Sequence, residues 1–311
     1  MTDIVGQITG AVLGACVGSF LNVVIWRLPR GTFLADGKRS ICPNCREPIP
    51  WYRNVPIVSW LVLRGRAPCC GARIAVRYVL VEAVTALLFW ALVVRPPSGL
   101  VAWPPNWPGS GAFVLHAYFV STLIACTVID IDHRILPDRL TKPGMVVGVL
   151  GSFVVAEAYG RLAVRASPTA QAVLFSAAGL LAGFALTWSV RQLATLLFRK
   201  EAMGRGDVKF MGAIGAFVGW QDVLLTFFLA CLYGAAGGLL HRAVTGQAYV
   251  WFGPFLAAGA VTALFFGESV MHFLFVTWPQ WQESHPVAPV LILSGAAAVL
   301  LLLFFVIRRG A

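Results

Sequence analysis

Of the thirteen acidic residues in this chain, Asp130, Asp132, Asp138 and Asp207 lie inside or at the edges of long apolar runs. Ionisable groups are expensive there and usually serve function. Asp130 closes the run Ala112 to Ile129, at a helix C-terminus whose macrodipole disfavours negative charge. Asp207 stands in Met203-Gly204-Arg205-Gly206-Asp207-Val208-Lys209, where two glycines permit positive φ and close approach of another backbone. Asp138 follows Leu136-Pro137 and reads as the N-cap of the next helix. Asp132, beside His133 and Arg134, reads as a solvated loop carboxylate. The plain alternative for Asp207 is a glycine-rich turn with a capping aspartate, but Asp130 and Asp207 fall on the same side of the apolar layer, at similar depth. Two carboxylates about 3 Å apart cannot both ionise, so they share a proton; one acts as base toward water while the other polarises a carbonyl. That is chemistry for peptide hydrolysis without a side-chain nucleophile or a metal. Arg205 and Lys209 would favour an ionised Asp207, and partial burial would oppose it.

The elements that must position these groups are transmembrane helices. With 59% hydrophobic and 12% charged residues, the chain has too little polar surface for water. Residues 5–26 carry no charge and would span roughly 33 Å as a helix, enough for a hydrocarbon core of about 30 Å. No basic region precedes them, Arg27 being the first basic residue, so they read as a span rather than a signal peptide. Comparable runs recur at 78–95, 112–130, 143–160, 170–190, 208–219, 221–240, 251–267 and 287–307. The pattern predicts an all-α, polytopic bundle of about eight or nine spans. Its organisation reads as a first helix over 1–26, a cytoplasmic insertion over 27–77, a membrane core over 78–267 and an additional C-terminal segment over 268–311.

Ten of the 24 Lys and Arg residues fall between Arg27 and Arg77, which places that loop in the cytoplasm and the N-terminus outside. Alternating from there leaves only Arg95, Arg161 and Arg165 outside. The net charge of +11 is therefore mostly an orientation signal, directed at anionic lipid headgroups rather than nucleic acid. Gly10, Gly14 and Gly18 share one helix face, and Gly215 with Gly219 repeats the device for close helix packing. Cys16, Cys126 and Cys231 lie in apolar runs and read as small hydrophobes. Cys42, Cys45, Cys69 and Cys70 share the cytoplasmic loop, where metal binding is favoured over a disulfide. Cys42-Pro-Asn-Cys45 has the spacing of a zinc knuckle. The alternative is a loop folded by its own packing around Trp51, Trp60 and Leu63.

Asp130-Ile-Asp-His-Arg-Ile-Leu-Pro-Asp138, together with Met203-Gly-Arg-Gly-Asp207-Val-Lys209, resembles the two aspartate motifs of the type IV prepilin peptidases. Further blocks agree in order: Gly18-Ser-Phe-Leu-Asn22 through Trp26-Arg-Leu-Pro29, Cys42-Pro-Asn-Cys45, Trp51 with Asn54, Pro56, Ser59 and Trp60, Arg77-Tyr78 with Glu82, and Phe252-Gly-Pro-Phe255. The resemblance covers residues 10 to 267. It implies a bacterial inner-membrane aspartyl endopeptidase with Asp130 and Asp207 catalytic. Such enzymes cut the basic leader from prepilins or pseudopilins on the cytoplasmic side, and many then methylate the new N-terminus with S-adenosylmethionine. Where the family tends to have a second Cys-x-x-Cys, this chain has Ala67-Pro68-Cys69-Cys70, so Cys69 would replace the thiolate missing at Ala67. A proton-coupled transporter is the rival reading, because boundary carboxylates and glycine-broken helices also mark ion pathways. Such a transporter should carry mid-membrane ionisable groups, of which Glu82 and Glu157 are the nearest.

Overall fold

The structure is a computed structural model that describes residues 4–32, 41–42, 44–97, 107–153, 167–199, 201, 203–246 and 251–285, without the side chains of 107–110 and 168. In chain order, α1 is Ile4–Arg27, α2 Val58–Val62, α3 Val76–Val94, α4 Trp107–His133, α5 Asp138–Gly151, α6 Pro168–Phe198, α7 Arg205–Thr245, α8 Phe252–His272 and α9 Trp278–Ser284. No strand occurs among the described residues; two isolated bridges, Ile41 to Pro48 and Arg66 to Arg73, lie in the cysteine-bearing loop. The chain is an all-α bundle, and six described helices are long and apolar enough to cross a membrane. The 287–307 run lies outside the described residues, as does the end of the 143–160 run, whose first part belongs to α5.

Two compact units are present, Met1–Phe265 and Phe266–Ala311. In the first, α4 is the hub: its apolar window is 61% buried, against 22 to 39% for the other candidate spans. One face packs Leu115, Phe119, Leu123 and Cys126 into a cluster with Phe210, Ile214 and Phe217 of α7 and Leu256 and Ala260 of α8. Phe119 and Phe217 stack with ring centroids 4.5 Å apart. The opposite face sets Ile124, Ala125 and Ile129 against Leu21 and Ile25 of α1 and Val81 of α3. A helix with apolar residues all round suits this central position. In the second unit, residues 273–277 form a π-helical turn leading into α9. The Trp278 and Trp281 rings stack there at 5.1 Å.

The glycine stripe of α1 does what its spacing implies. A Cβ on Gly14 would lie 2.7 Å from the Thr85 carbonyl oxygen, and one on Gly18 2.7 Å from the Glu82 Cα, so α1 and α3 meet at a distance that only glycine allows. The 208–219 and 221–240 runs are two helices, as expected, joined end to end without a loop. They form one element, α7, broken at Gly219 by φ 80° and ψ 172°, a conformation essentially restricted to glycine. Both glycines pack on Gly179, where a Cβ would meet the Gly215 carbonyl oxygen and lie 2.7 Å from the Gly219 Cα, and the Phe175 ring fills the space beside Gly219.

Candidate active site

α4 ends because Arg134 adopts the left-handed conformation, φ 57°, and its N–H closes on the Asp130 carbonyl at 2.8 Å. This is an αL cap three residues past the last apolar position, and it fixes the backbone that carries Asp130. The side chain of Asp130 is buried. It faces the first turn of α8, where the Gly253 backbone donates a hydrogen bond to it. A Cβ on Gly253 would lie 2.5 Å from Asp130 Oδ2, so only glycine lets that backbone reach the carboxylate. The Phe252-Gly-Pro-Phe255 block carried no role in the sequence reading; its role is this approach.

Asp207 lies in the first turn of α7. Its Oδ2 accepts the Gly204 N–H at 3.2 Å, so it satisfies a helix-start donor from the third helical position rather than capping from outside. The preceding turn is gripped by Arg191 of α6, whose Nε donates to the Met203 carbonyl at 3.1 Å and whose guanidinium pairs with Glu201 at 3.0 Å. Gly206 packs on Leu136 of the α4–α5 connection, a Cβ there falling 3.0 Å from Leu136 Cβ. Three helices thus converge on one region: α8 meets α4 at Gly253 and Asp130, and α7 meets the α4–α5 connection at Gly206 and Leu136.

The other two aspartates are structural, in ways their sequence positions did not reveal. Asp138 is not the N-cap of α5: Pro137 takes that place, without a side-chain cap. Asp138 instead binds Lys209 Nζ through both oxygens, at 2.7 and 2.9 Å, and pairs with Lys142 at 2.9 Å. The Lys209 ammonium, followed by that of Lys142, holds the Asp138 carboxyl below the usual carboxylate range. Lys209 therefore serves Asp138, contrary to its expected role beside Asp207. Asp132 is not simply solvated; it pairs with Arg77 at the start of α3. Arg77, Arg191 and Gly253 were missed as positioning residues because long-range pairing leaves no local periodicity.

In the loop between α1 and α3, the sulfurs of Cys42, Cys45, Cys69 and Cys70 all lie within 4.8 Å of one another. Cys42 and Cys70 are 3.8 Å apart, Cys45 and Cys69 3.3 Å, and Cys69 and Cys70 3.9 Å. A tetrahedral zinc with sulfur at about 2.3 Å places its ligands about 3.8 Å apart, so the four thiols fit such an ion. Two matching turns build the cluster. Cys42 N–H donates to Glu47 and Arg46 N–H to Cys42, both at 2.9 Å; Ala67 N–H donates to Ala72 and Gly71 N–H to Ala67, both at 2.8 Å. Ala67 thus occupies the place corresponding to Cys42, and both are buried. Backbone N–H groups of Cys45 and Asn44 pull the Cys42 thiol down to about 6. Hydrogen bonding from Cys45 pushes Cys69 up to about 12. Trp51 is 83% exposed and forms no core for this loop.

Comparison with known proteins gives two family matches: the bacterial peptidase A24 N-terminal domain over residues 12–96 and the type IV leader peptidase family over residues 117–239. A prepilin leader peptidase/N-methyltransferase of Aeromonas salmonicida is 35% identical over 292 residues, covering 84% of this chain and 91% of that protein. The protein of the same description from Neisseria gonorrhoeae is 34% identical over 306 residues, covering 89% and 94%. A type 4 prepilin-like proteins leader peptide-processing enzyme of Escherichia coli is 34% identical over 277 residues, covering 83% and 93%. No solved structure matches the chain.

Proposed function

This chain belongs to the type IV leader peptidase family, and on that premise we propose that it removes the leader of type IV prepilins and pilin-like proteins through the carboxylates of Asp130 and Asp207. It is a membrane-embedded protease of the inner membrane. One carboxylate takes a proton from water as the oxygen attacks the scissile carbonyl, while its protonated partner donates to the carbonyl oxygen. Collapse of the tetrahedral species then passes a proton to the leaving amine. The Gly253 and Gly204 N–H groups hold the two carboxylates, so orientation is paid before substrate arrives.

The observation that carries this reading is the convergence of the elements that bear the carboxylates: Gly206, beside Asp207 on α7, packs on Leu136 of the segment that follows Asp130, and Gly253 closes on Asp130 itself. The division at residues 26, 77 and 267, the outward N-terminus and the cytoplasmic site belong to the same proposal and rest on the charge asymmetry of the loops. A basic substrate leader and anionic lipid around the loops belong to it as well, as does zinc in the Cys42, Cys45, Cys69 and Cys70 cluster, which is supported by the meeting of the four sulfurs. N-methylation of the new N-terminus is extended to this chain from the description of its relatives, with S-adenosylmethionine as donor. Nothing favours a transporter: Glu82 is tied to the Ile57 N–H at 2.7 Å, and Glu157 lies outside the described residues. Incubating the purified chain in detergent with a leader-bearing pilin peptide should release the leader, read by mass spectrometry. An intact peptide after long incubation would refute the assignment.

A further inference from the structure

The peptide unit that joins Met203 to Gly204 is held at both ends. Its carbonyl oxygen accepts the Nε–H of Arg191 of α6 at 3.1 Å, and its N–H donates to Asp207 Oδ2 at 3.2 Å. Such a unit is planar because the nitrogen lone pair is delocalised toward the oxygen. A cation at the oxygen draws that density further and makes the N–H a stronger donor, since hydrogen bonds in series polarise one another. The carboxylate lies close against the unit: a Cβ on Gly204 would fall 3.1 Å from Asp207 Oδ2.

Arg191 is placed to act through its charge. Its side chain is 12% exposed, whereas that of its partner Glu201 is 74% exposed. Solvent screens the Glu201 end of the pair, so the guanidinium field is directed chiefly at the less exposed peptide. A neutral donor would tie the turn equally well and would avoid the desolvation that burying a guanidinium costs; what the cation adds is the field. The other charged groups on the elements that meet here are Asp130 of α4, Arg134 of the α4–α5 connection, Asp138 of α5, and Arg205 and Lys209 of α7 itself, while α8 brings the Gly253 backbone. Lys209 is bound to Asp138, whereas Arg191 is bound to the peptide that binds Asp207.

From this arrangement we propose that Arg191 is a positioning residue for the peptidase reaction, relaying its positive charge through the Met203–Gly204 peptide to the Asp207 carboxylate. The relay fixes Oδ2 and favours the ionised form of Asp207. It rests on the pairing of Asp130 with Asp207 in the reading above, and it requires no contact between Arg191 and substrate.

The test follows leader cleavage by the full chain in lipid nanodiscs across pH, with kcat and KM separated. Arg191→Gln keeps a neutral donor for the turn but loses the cation. The limb of the profile that Asp207 controls should then move up by about 0.5 pH unit or more, less than the 1–3 units of a directly contacting charge. At the optimum, kcat should fall about tenfold with KM little changed, because a reacting group loses its aim while substrate contacts stay. Arg191→Lys should bring the limb most of the way back. Glu201→Gln removes the opposing charge from an exposed side chain and should move the same limb slightly down. Arg191→Gln/Glu201→Gln should keep the limb where Arg191→Gln puts it. A double variant restored to the wild-type profile makes Arg191 no more than the counter-ion of Glu201 and overturns the relay. So does an Arg191→Gln whose kcat falls evenly at every pH with both limbs in place. If Arg191→Gln does not fold, an unmoved limb in Glu201→Gln overturns it instead. A wild type that leaves the leader intact refutes the peptidase reading itself, and the relay with it.

Discussion

At the scale of single residues, the proposed site is two carboxylates and the backbone groups that aim them. Asp130→Asn and Asp207→Asn keep shape and remove the titratable proton, so each should lower leader cleavage by about 10²–10⁴-fold or more while the protein still inserts. An Asp207→Asn variant cleaving at the wild-type rate would exclude the pair. Asp132→Asn, which loses an ion pair with Arg77 rather than a reacting group, should retain measurable activity. Gly253→Ala is the sharper probe, because the added methyl would fall 2.5 Å from Asp130 Oδ2 and must push the carboxylate or α8 away. A displacement near 1 Å costs about 10²-fold in rate, so kcat should fall by roughly that factor with KM little changed. Asp130 was legible as a candidate because a carboxylate at the C-terminal end of an apolar run contradicts helix electrostatics, and Asp207 because two glycines precede it on the same side of the apolar layer. Gly253 was not, since nothing in its own segment announces which side chain its backbone will meet.

At the scale of elements, the ends of α3, α4, α5 and α7 are joined by ion pairs as well as by apolar packing. Asp138 links α5 to α7 through Lys209, and Asp132 links α4 to α3 through Arg77. Lys209 and Asp138 are 36% and 42% exposed, so solvent screens the pair and its worth stays within the ~0–1 kcal/mol of surface salt bridges. Its pH dependence follows from the direction of the shift. The folded carboxyl titrates below its unfolded value, so the stabilisation is complete above pH ~4 and is lost only as pH falls through the lower folded value. Asp138→Asn should therefore cost little thermal stability at pH 7. It should nonetheless leave the Lys209 ammonium without this partner two residues beyond Asp207, favouring an ionised pair, so that the acid limb of the cleavage profile moves to lower pH. Asp138→Asn/Lys209→Gln should return the limb to its original place; a limb unmoved in the single variant would count against the electrostatic role. The expected apolar runs that fall among the described residues did become helices, because length and hydropathy govern insertion. The break in α7 falls where the 208–219 and 221–240 runs part; what stayed hidden is that Gly219 makes it, because glycine serves equally for packing and for bending, and φ, not composition, distinguishes Gly219 from Gly215.

At the scale of the whole molecule, the membrane bundle and the cysteine loop are held by different physics. The bundle has its apolar clusters about α4, whereas among the described residues of the loop Trp51 and Tyr52 are exposed, Trp60 and Leu63 are half-buried, and the fully buried residues are small. A segment so poor in core gains its folding energy from a crosslink, and a zinc ion among four thiolates supplies one. The paired turns indicate which thiolate is out of place. Cys42, Cys45 and Cys70 occupy knuckle positions, Ala67 stands where the matching turn would carry its first cysteine, and Cys69 reaches the cluster from between them. The purified chain should hold about one zinc per molecule by elemental analysis. Chelation should speed trypsin cleavage at Arg46, Arg53 and Arg64 while leaving the helical content of the bundle unchanged. Loss of a ligand should cost at least the ~10–100-fold that outer partners are worth, so Cys69→Ser should weaken zinc by that factor or more. Ala67→Cys/Cys69→Ser restores four thiolates in two matching knuckles and should bind zinc at least as tightly as the natural chain. If the double variant stays as weak as Cys69→Ser, Ala67 does not stand in a ligand position; if Cys69→Ser binds zinc normally, Cys69 is not the fourth ligand.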